Sequence, residues 1–336
     1  MKPPDRILLA HGGGGSLSRA LVHDIFLPAF DNPALESLSD AAVLSLSGGR
    51  FAFTTDSYVV TPAFFPGGDI GTLAVAGTIN DLAVSGAVPR FLSCAFILEE
   101  GLPLDDLRRV VASMARTARE AGVQLVTGDT KVVQRGAADG IFITTAGVGE
   151  LRSLPEGWGT PVPGDRVLVN GPVGDHGFAV LAAREGLVFD SPLQSDCAPL
   201  NGLIDALFDA AVHVRFMRDA TRGGLAAVLN ERAMGHPWGV ALQAGAIPIS
   251  AAARSLGEIL GIDPLFAANE GKVVAIVAAE DADAALESMR AHPLGREAAL
   301  IGTIEPGLDG LVTLETGFGG RRLLDMPLGE QLPRIC

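Results

Sequence analysis

The alternation of apolar and polar positions predicts a mixture of strands and helices in the first half of the chain. Residues 51–56 alternate as a half-buried strand does and lead into a proline- and glycine-rich loop at 62–71. From Leu104 the apolar positions recur every three or four residues, which predicts a helix that stops at Gly122. Short apolar runs predict two further strands, at 123–127 and 141–148.

A break rich in proline, glycine and tryptophan at 151–163 separates this half from a second mixed pattern, so we expect a domain boundary there. The second half has predicted helices near 202–212, 224–234 and 282–291 and predicted strands near 166–170, 272–278 and 311–314. The end of the chain, DMPLGEQLPRIC, carries two prolines and no periodicity. We therefore expect it to be an extended and mobile arm.

Composition excludes several classes of function. The chain has 336 residues, 48% of them hydrophobic, which is enough for two α/β domains with real cores. A net charge of −14 argues against non-specific binding to nucleic acid or to anionic membranes. No apolar run approaches the roughly 18 residues of a membrane span, and the start of the chain has too short an apolar run for a signal peptide.

The cysteines indicate a reduced protein. Three of them, at 94, 197 and 336, are too few for a disulfide framework and match no zinc pattern, so we expect a cytoplasmic protein. Cys94 and Cys197 are expected to be small core or surface residues. Cys336 is the last residue of the sequence, and a thiol on a flexible arm can travel to another site as a tethered carrier does.

Four aspartates of the first half lie in or beside predicted turns, flanked by small apolar residues: Asp40, Asp56, Asp81 and Asp129. Carboxylates that converge at strand ends are typical ligands of Mg²⁺, which bridges them to nucleotide phosphates. Aspartate also caps helices and turns, so each position taken alone has a structural explanation.

Three glycine-containing segments are candidates for phosphate binding. The run at 11–15 lets backbone amides approach a phosphate, but it lacks a Walker A ending, and a flexible linker explains it equally well. The segment RDATRGG at 218–224 opens a predicted helix with two arginines and two glycines, which suits a phosphate. The loop at 170–177 is similar. Its His176 has no spaced histidine partner, so we expect a turn or hydrogen-bonding role rather than a metal role.

Lysine is rare in a chain that otherwise uses arginine. Beyond Lys2 it occurs as Lys131, two residues after Asp129, and Lys272, two residues after Glu270. A desolvated lysine can release its proton whereas an arginine practically cannot, so these positions are candidates for proton transfer. Chance survival in an arginine-biased composition is the alternative.

Together these motifs resemble the HypE family of hydrogenase maturation proteins, nearly end to end. The resemblance rests on LVHDIFLPAFDNP, SDAAVL, TTDSYVV, GTINDLAVSGAVP, VTGDTKVV, RDATRGGL, ANEGK and the terminal PRIC, which is the most specific. The family belongs to a wider group similar to PurM, the aminoimidazole ribonucleotide synthetase. It implies a two-domain α/β (α+β) fold whose N-terminal mixed-sheet domain pairs in a homodimer. The implied segments are a glycine-rich start (1–35), an ATP-binding domain (36–155), a C-terminal α/β domain (156–322) and a flexible tail with the carrier cysteine (323–336).

The resemblance also implies a reaction. HypF would deliver a carbamoyl group to Cys336, and ATP would phosphorylate the amide oxygen. Loss of the nitrogen protons and of phosphate would leave a thiocyanate, whose cyanide passes to iron on the HypC–HypD complex for the [NiFe]-hydrogenase site. Asp40, Asp56, Asp81 and Asp129 would bind Mg²⁺ and phosphates, with Asn80, Thr130, Gly13 and Gly14 as further ATP-binding residues. Glu270 would be the base and Lys131 its relay, titrating as a coupled pair.

Two other hypotheses stay open at this point. A different PurM-like enzyme, such as selenophosphate synthetase or thiamine-monophosphate kinase, would phosphorylate a small substrate. The segment 11–20 lacks the reactive cysteine or selenocysteine and the lysine of the former, and the latter has no use for Cys336. A non-catalytic scaffold whose tail docks on a partner is the third hypothesis, and the aspartates with Lys131 and Glu270 argue against it.

Overall fold

The structure, a computed structural model, describes residues 15–21, 23–24, 41–46, 48–187, 193–317, 319–327, 329, 332 and 335–336. The strands of the first half are β1 (Ala42–Leu46), β2 (Gly49–Tyr58), β3 (Phe64–Phe65), β4 (Gly68–Asp69), β5 (Ala87–Glu99), β6 (Gln124–Val133) and β7 (Ile141–Leu151). Those of the second half are β8 (Arg166–Val169), β9 (Val214–Asp219), β10 (Trp238–Gln243), β11 (Val273–Val277), β12 (Ala299–Pro306), β13 (Val312–Glu315) and β14 (Arg321–Leu323). The helices are α1 (Gly15–Leu21), α2 (Ile70–Val84), α3 (Leu104–Glu120), α4 (Asp175–Glu185), α5 (Asn201–Asp209), α6 (Gly224–Ala233), α7 (Ala251–Leu260) and α8 (Ala282–Ala291).

The first sheet has five strands in the order β1–β2–β7–β5–β6, and its β5–β6 pair is parallel while the others are antiparallel. Helices α2 and α3 cover one face, where Leu73, Met114 and Ile143 share a buried core. Helix α3 is amphipathic as predicted, and Gly122 follows it with a φ of +70°, the left-handed conformation that stops a helix.

The opposite face of this sheet carries a row of apolar side chains, and none of the described elements packs on it. Leu44, Phe53, Phe91 and Ile97 are each more than a third exposed on strands β1, β2 and β5. The register places Phe53 opposite Val148, and Val148 opposite Phe91, so these side chains form one row across three strands. An exposed apolar row of this kind is typical of a surface that meets a partner.

Helix α2 is almost completely buried and lies between the two halves of the chain. Thirteen of its 15 residues are buried, and it packs on β2, β5 and β7 of the first sheet and on α5 and β9 of the second half. The Asp69 carboxylate caps its start by accepting a hydrogen bond from the Thr72 backbone N–H at 2.8 Å. Of its polar residues, Asn80 bonds to the second half, whereas Thr78 and Asp81 bond to strands of the first sheet.

The second sheet has seven strands in the order β14–β13–β10–β12–β8–β11–β9 and is covered on both faces. Helix α6 packs on the face that includes Val167 and Val169, and α5 and α8 pack on the face that includes Leu168. Because strand residues alternate between two covered faces, β11 is buried at all five positions. Within the described segments, no helix has the length and apolar character needed to cross a bilayer.

Several elements were predicted, some from a period and some from a short apolar run or a helix-start motif. The predicted strands at 51–56, 141–148, 166–170 and 272–278 correspond to β2, β7, β8 and β11, and the predicted helices at 224–234 and 282–291 correspond to α6 and α8. The segment 62–71, predicted as a loop, contains the β3–β4 hairpin and the start of α2. Helix α2 escaped prediction because a helix that is apolar on every side has no amphipathic period.

The end of the chain is docked, which differs from the expected mobile arm. Leu332 and Ile335 are buried in the core beneath the first sheet, and the Cys336 carbonyl accepts a hydrogen bond from the Val59 backbone N–H at 3.1 Å. Two isolated apolar residues beside prolines produce no periodic signal, so the sequence pattern gave no indication of this docking.

Candidate active site

A row of polar side chains on β2 faces helix α2. Thr54, Asp56 and Tyr58 alternate along the strand on its covered side. The Thr54 hydroxyl donates to the Asp81 carboxylate at 2.8 Å, and the Tyr58 hydroxyl donates to the Asp56 carboxylate at 3.0 Å. Two of the predicted acidic residues, Asp56 and Asp81, are therefore brought to the same junction between strand and helix.

Tyr58, the only tyrosine of the chain, is buried at this junction. Burial raises its pKa well above the usual value, and the carboxylates of Asp56, Asp81 and Glu270 raise it further. The hydroxyl therefore stays protonated and able to donate. Burial also raises the pKa of Asp56, although the Tyr58 hydrogen bond and the charge of Arg222 act in the opposite direction.

Glu270 lies within a buried acidic group. The residue is 3% exposed, and its Oε1 is buried without a hydrogen-bond partner. Burial raises the pKa of Glu270 well above the usual value, and the carboxylates of Asp219, Asp196 and Asp56 raise it further. The guanidinium of Arg222 lowers it in part. A buried carboxyl with an unpaired oxygen among other carboxylates is costly, and such groups are candidates for catalysis or for cation binding.

Asp196 fixes the backbone beside Glu270. Its carboxylate accepts hydrogen bonds from the backbone N–H groups of Glu270 and Gly271, at 3.0 and 3.2 Å, and from Lys272 Nζ at 2.9 Å. Burial alone would raise the pKa of Asp196, but the charge of Lys272 and these hydrogen bonds outweigh it, and the pKa is lowered. Lys272 is thus neutralised in a buried ion pair, which accounts for one of the rare lysines structurally.

Asn80 ties helix α2 to the same region. Its Nδ2 donates to the carbonyls of Ala198 and Glu270, at 3.1 and 3.3 Å, and its Oδ1 accepts from the Leu200 backbone N–H at 2.7 Å. All three partners are backbone groups of the second half, so in this structure the amide joins the two halves. A ligand role for Asn80 stays a prediction.

Arg222 precedes helix α6, whose start is formed by the glycines at 223–224 with φ values of +74° and +61°. Its charge lowers the pKa of Glu270, whereas Arg218 Nη1 lies 2.7 Å from the Glu231 carboxylate. Arg222 therefore contributes a positive charge to the acidic group, whereas Arg218 forms an ion pair with Glu231 within the second half.

Asp129, Thr130 and Lys131 lie on β6, the edge strand of the first sheet. Lys131 Nζ is 2.7 Å from Asp129 Oδ2, and the Lys131 side chain is 70% exposed. The hydrogen bond from Lys131 is the largest of the effects that lower the pKa of Asp129. The cross-strand partner of Lys131 is Ile97, which lies on the uncovered face, so Asp129 and Lys131 lie on that face too.

The acidic group that contains Asp56 and the exposed pair of Asp129 and Lys131 are well separated within one chain. Strands β7 and β5 lie between β2 and β6, so Asp56 and Asp129 are three strand spacings apart, about 14 Å. One ion cannot bind both directly. Glu270 and Lys131 likewise do not form the predicted pair, because Glu270 is buried while Lys131 is exposed and bonded to Asp129. A joint role for these residues stays a prediction.

The acidic group around Glu270 fits a divalent cation with an outside ligand. Hard cations bind carboxylate oxygens, and Glu270 Oε1 is a buried oxygen without a partner beside the charges of Asp56 and Asp219. Among the residues that the structure describes, no three His, Cys, Asp or Glu side chains already form a metal-ligand set. Nucleotide phosphates commonly complete the ligand shell of Mg²⁺. The predicted residues Asp40, Gly13 and Gly14 lie outside the described residues.

The docked end of the chain reaches this region through His176. His176 is buried, with Nε2 2.6 Å from the Ile335 carbonyl and Nδ1 2.8 Å from Ser195 Oγ, which confirms its predicted hydrogen-bonding role. The neighbouring Cys336 is half-buried against the same core, and its carbonyl is bound to Val59, next to Tyr58.

None of the three cysteines, all of which are described by the structure, is part of a disulfide. Cys94 is a core residue whose pKa is raised by burial to about 11, and burial raises the pKa of Cys197 well above its usual value. Neither thiol is therefore reactive in this environment, which leaves Cys336 as the candidate carrier.

Sequence reasoning missed Tyr58, Ser195 and Asp196. The single tyrosine of the chain, two residues after Asp56, was a usable signal. Ser195 and Asp196 lie in a segment without periodicity, and their importance arises from contacts with residues at 176 and 270–272. Such contacts exist only in the folded chain.

Known proteins share this architecture. Residues 38–151 match the family model of the AIR synthase related protein N-terminal domain, and residues 162–314 match that of its C-terminal domain. A carbamoyl dehydratase HypE from Rhizobium leguminosarum bv. viciae is 52% identical over 338 residues, covering 98% of this chain and 95% of that protein. A crystal structure of a HypE–HypF complex has a TM-score of 0.84 at 47% identity, covering 92% of this chain and 100% of that one. A crystal structure of HypE in complex with ATP has a TM-score of 0.82 at 50% identity, covering 98% and 100%.

These matches extend over both domains and nearly the full length of the relatives, and they confirm the resemblance drawn from the sequence motifs. This chain belongs to the HypE family of carbamoyl dehydratases, within the AIR synthase related proteins.

Proposed function

We propose that this protein is an ATP-dependent carbamoyl dehydratase of [NiFe]-hydrogenase maturation, acting on a thiocarboxamide carried by Cys336. The observation that carries the proposal is the docked end of the chain. The Cys336 carbonyl is bound to the Val59 backbone N–H at 3.1 Å, and Val59 follows Tyr58, whose hydroxyl is bound to Asp56. These two contacts link Cys336 to Asp56, and we infer that a group on the thiol lies near the acidic region that suits Mg²⁺ and nucleotide phosphates.

The chemistry requires ATP because the oxygen of an amide is a poor leaving group. The carbamoyl oxygen attacks the γ-phosphorus of ATP, the bond to ADP breaks, and one N–H proton is released. A base then removes the second N–H proton, the C–O bond to the phosphate breaks, and an S-cyanate remains on Cys336. The products are ADP, phosphate and the thiocyanate, and both nitrogen protons have been removed.

Glu270 is the proposed base. Its burial and its neighbouring carboxylates raise its pKa, and a carboxylate with a raised pKa is a stronger base once ionised. The charge of Arg222 favours the ionised form. We propose Lys131 as the relay for the proton on the basis of the family resemblance alone. The role of Glu270 rests on the same resemblance and also on its burial.

The proposed ATP–Mg²⁺ site combines Asp56 and Asp81 with further residues predicted from the sequence: Asp40, Asn80, Asp129, Thr130, Gly13 and Gly14. Mg²⁺ would neutralise phosphate charge there. The raised pKa of Asp56 supports this assignment, because a buried carboxylate gains most from a nearby cation.

We also propose that the protein is a homodimer that pairs through the uncovered face of the first sheet. Phe53, Phe91 and Ile97 are exposed there. Phe91→Asp is expected to shift the molecular mass measured by light scattering towards the monomer. The matched control is Leu104→Asp, at an exposed position of α3, which packs on the other face. A monomeric wild type, or a dimer unaffected by Phe91→Asp, would contradict this assignment.

The partners follow from the same proposal. A HypE relative forms a complex with HypF, and we propose that HypF loads the carbamoyl group on Cys336 here. We propose that the HypC–HypD complex receives the cyanide. A reactive thiol carrier needs a reducing compartment, so we place the reaction in the cytoplasm.

Measurement of ATP hydrolysis separates the proposal from its alternatives. We expect hydrolysis to depend on HypF together with a carbamoyl donor, because phosphorylation needs the loaded thiol. Hydrolysis that needs only a small-molecule substrate would indicate a kinase of the same fold. An absence of hydrolysis under every condition would indicate a scaffold.

A further inference from the structure

We propose that His176 is a positioning residue that holds the docked end of the chain in the dehydration site by donating Nε2–H to the Ile335 carbonyl. The inference rests on the proposed function. The hydrogen bond spans 2.6 Å and joins residues 159 positions apart in the sequence. The acceptor is the carbonyl of Ile335, the residue directly before the carrier cysteine. The hydrogen bond therefore fixes the backbone next to Cys336.

The tautomer of His176 follows from its two partners. A carbonyl oxygen can only accept, so Nε2 carries the hydrogen. Burial lowers the pKa of His176, although the charge of Asp196 and the hydrogen bond to Ile335 act in the opposite direction. The ring is therefore neutral, and Nδ1 accepts from the Ser195 hydroxyl at 2.8 Å.

Ser195 is itself held in place. Its backbone N–H donates to the Pro66 carbonyl at 2.8 Å, and its Oγ accepts from the Cys197 backbone N–H at 3.1 Å. Because the Cys197 N–H already donates to Oγ and the unprotonated Nδ1 can only accept, the Ser195 hydroxyl hydrogen is donated to His176. The edge of Phe65 also contacts the imidazole, with ring centroids 5.4 Å apart at 89°. The donor at Nε2 is thus preorganised before the tail docks.

The tail makes a second contact beside the first. Leu332 lies against the glycine after His176, where a Cβ at Gly177 would be 3.1 Å from Leu332 Cδ1. Ile335 is 1% exposed. Undocking therefore exposes two apolar side chains, but these contacts are non-directional. The hydrogen bond from His176 is directional, and with the Val59 N–H it sets where Cys336 lies.

The inference is tested by the rate at which N-ethylmaleimide alkylates Cys336, followed by peptide mass spectrometry in the absence of HypF and ATP. In His176→Leu the buried Ile335 carbonyl loses its donor, and we expect Cys336 to be alkylated about tenfold faster or more. His176→Gln keeps an N–H donor at nearly the same reach and is expected to restore most of the protection. His213→Leu, at an exposed histidine bound to Asp281, is the matched control and should behave as wild type.

Ser195→Ala keeps the test decisive where His176→Leu fails to fold. It leaves the ring in place but removes the donor to Nδ1, so the proton can move to that nitrogen. We expect an alkylation rate between those of the Gln and Leu variants. A wild-type alkylation rate in a folded His176→Leu, a Gln variant as fast as the Leu variant, or, where His176→Leu does not fold, a wild-type rate in Ser195→Ala would overturn the inference.

A second readout connects positioning to chemistry. With Cys336 already carbamoylated, single-turnover dehydration should be slower in His176→Leu by a factor comparable to its alkylation change, while loading by HypF is not slowed. Because protection is measured without HypF or ATP, a wild type that fails to dehydrate would refute the proposed function and leave the result on His176 standing.

Discussion

Replacement of Glu270 by glutamine is expected to make the protein more stable and inactive. In the folded protein the Glu270 carboxyl is buried, one oxygen has no hydrogen-bond partner, and three carboxylates lie close enough to raise its pKa. Glutamine has nearly the same shape and carries no charge. Its amide hydrogens can also donate to neighbouring carboxylates. The substitution therefore removes an unfavourable buried charge with little change in packing.

The size of the expected stability gain follows from the burial of Glu270, and the direction of its pH dependence follows from the raised pKa of Glu270. A buried polar group without a partner costs about 1–3 kcal/mol, so we expect Glu270→Gln to raise the free energy of unfolding by about that amount near neutral pH. Because the folded protein raises the pKa of Glu270, the wild type loses stability as the pH rises above the usual carboxyl pKa of 4.5. The difference in the free energy of unfolding between Glu270→Gln and wild type should therefore be small near the usual carboxyl pKa and should grow towards neutral pH.

Urea unfolding between pH 5 and pH 8, without nucleotide or divalent cations, measures this difference. The control is Glu258→Gln, at an exposed position of α7, which should stay within about 0.5 kcal/mol of wild type. Dehydration of the loaded thiol should fall by at least about 100-fold in Glu270→Gln, the usual contribution of a general base. A destabilised variant, or one whose stability gain does not grow with pH, would refute the buried-charge argument.

Two further predictions follow from the same contacts. Lys272→Met should lower the free energy of unfolding by about 3–5 kcal/mol, because it leaves Asp196 buried without its cation. Lys131→Met removes a cation from an exposed pair and should change this free energy by less than about 1 kcal/mol. Equal losses of the two variants in urea unfolding would contradict this difference. A short tag appended after Cys336 should reduce the thiocyanate yield measured by mass spectrometry, because the docked Cys336 backbone is packed against β2; an unchanged yield would count against docking as the productive state.

Sequence periodicity is clearest in the elements that have one covered side. Helix α3 and strand β2 have an apolar and a polar face, and their patterns show it. Helix α2 is buried nearly all round, so it has no amphipathic signal, yet it carries Asn80 to the second half and Asp81 to strand β2. Its position depends on contacts from both sheets, which a local pattern cannot express.

The residues of the candidate site were predicted from their motifs, but their neighbours in the folded chain were predicted only in part. Asp56, Asp81 and Glu270 are flanked by motifs that stand out in the sequence, and the fold brings the first two to one junction, with electrostatic contact between Glu270 and Asp56. The pairing of Glu270 with Lys131 was inferred from lysine rarity and family resemblance. Strand order decides the actual neighbours, and it places Lys131 beside Asp129 on the uncovered face.

The most direct test of the account is the mass of the C-terminal peptide during the reaction. After incubation with HypF and a carbamoyl donor, we expect the peptide that contains Cys336 to gain about 43 Da, and addition of Mg-ATP should then reduce that mass by about 18 Da, the loss of water that converts a carbamoyl into a cyano group. Cys336→Ala should keep the fold and ATP binding and show neither change. The same adduct on the alanine variant, or a carbamoyl adduct on Cys336 that persists in the presence of Mg-ATP, would contradict the account.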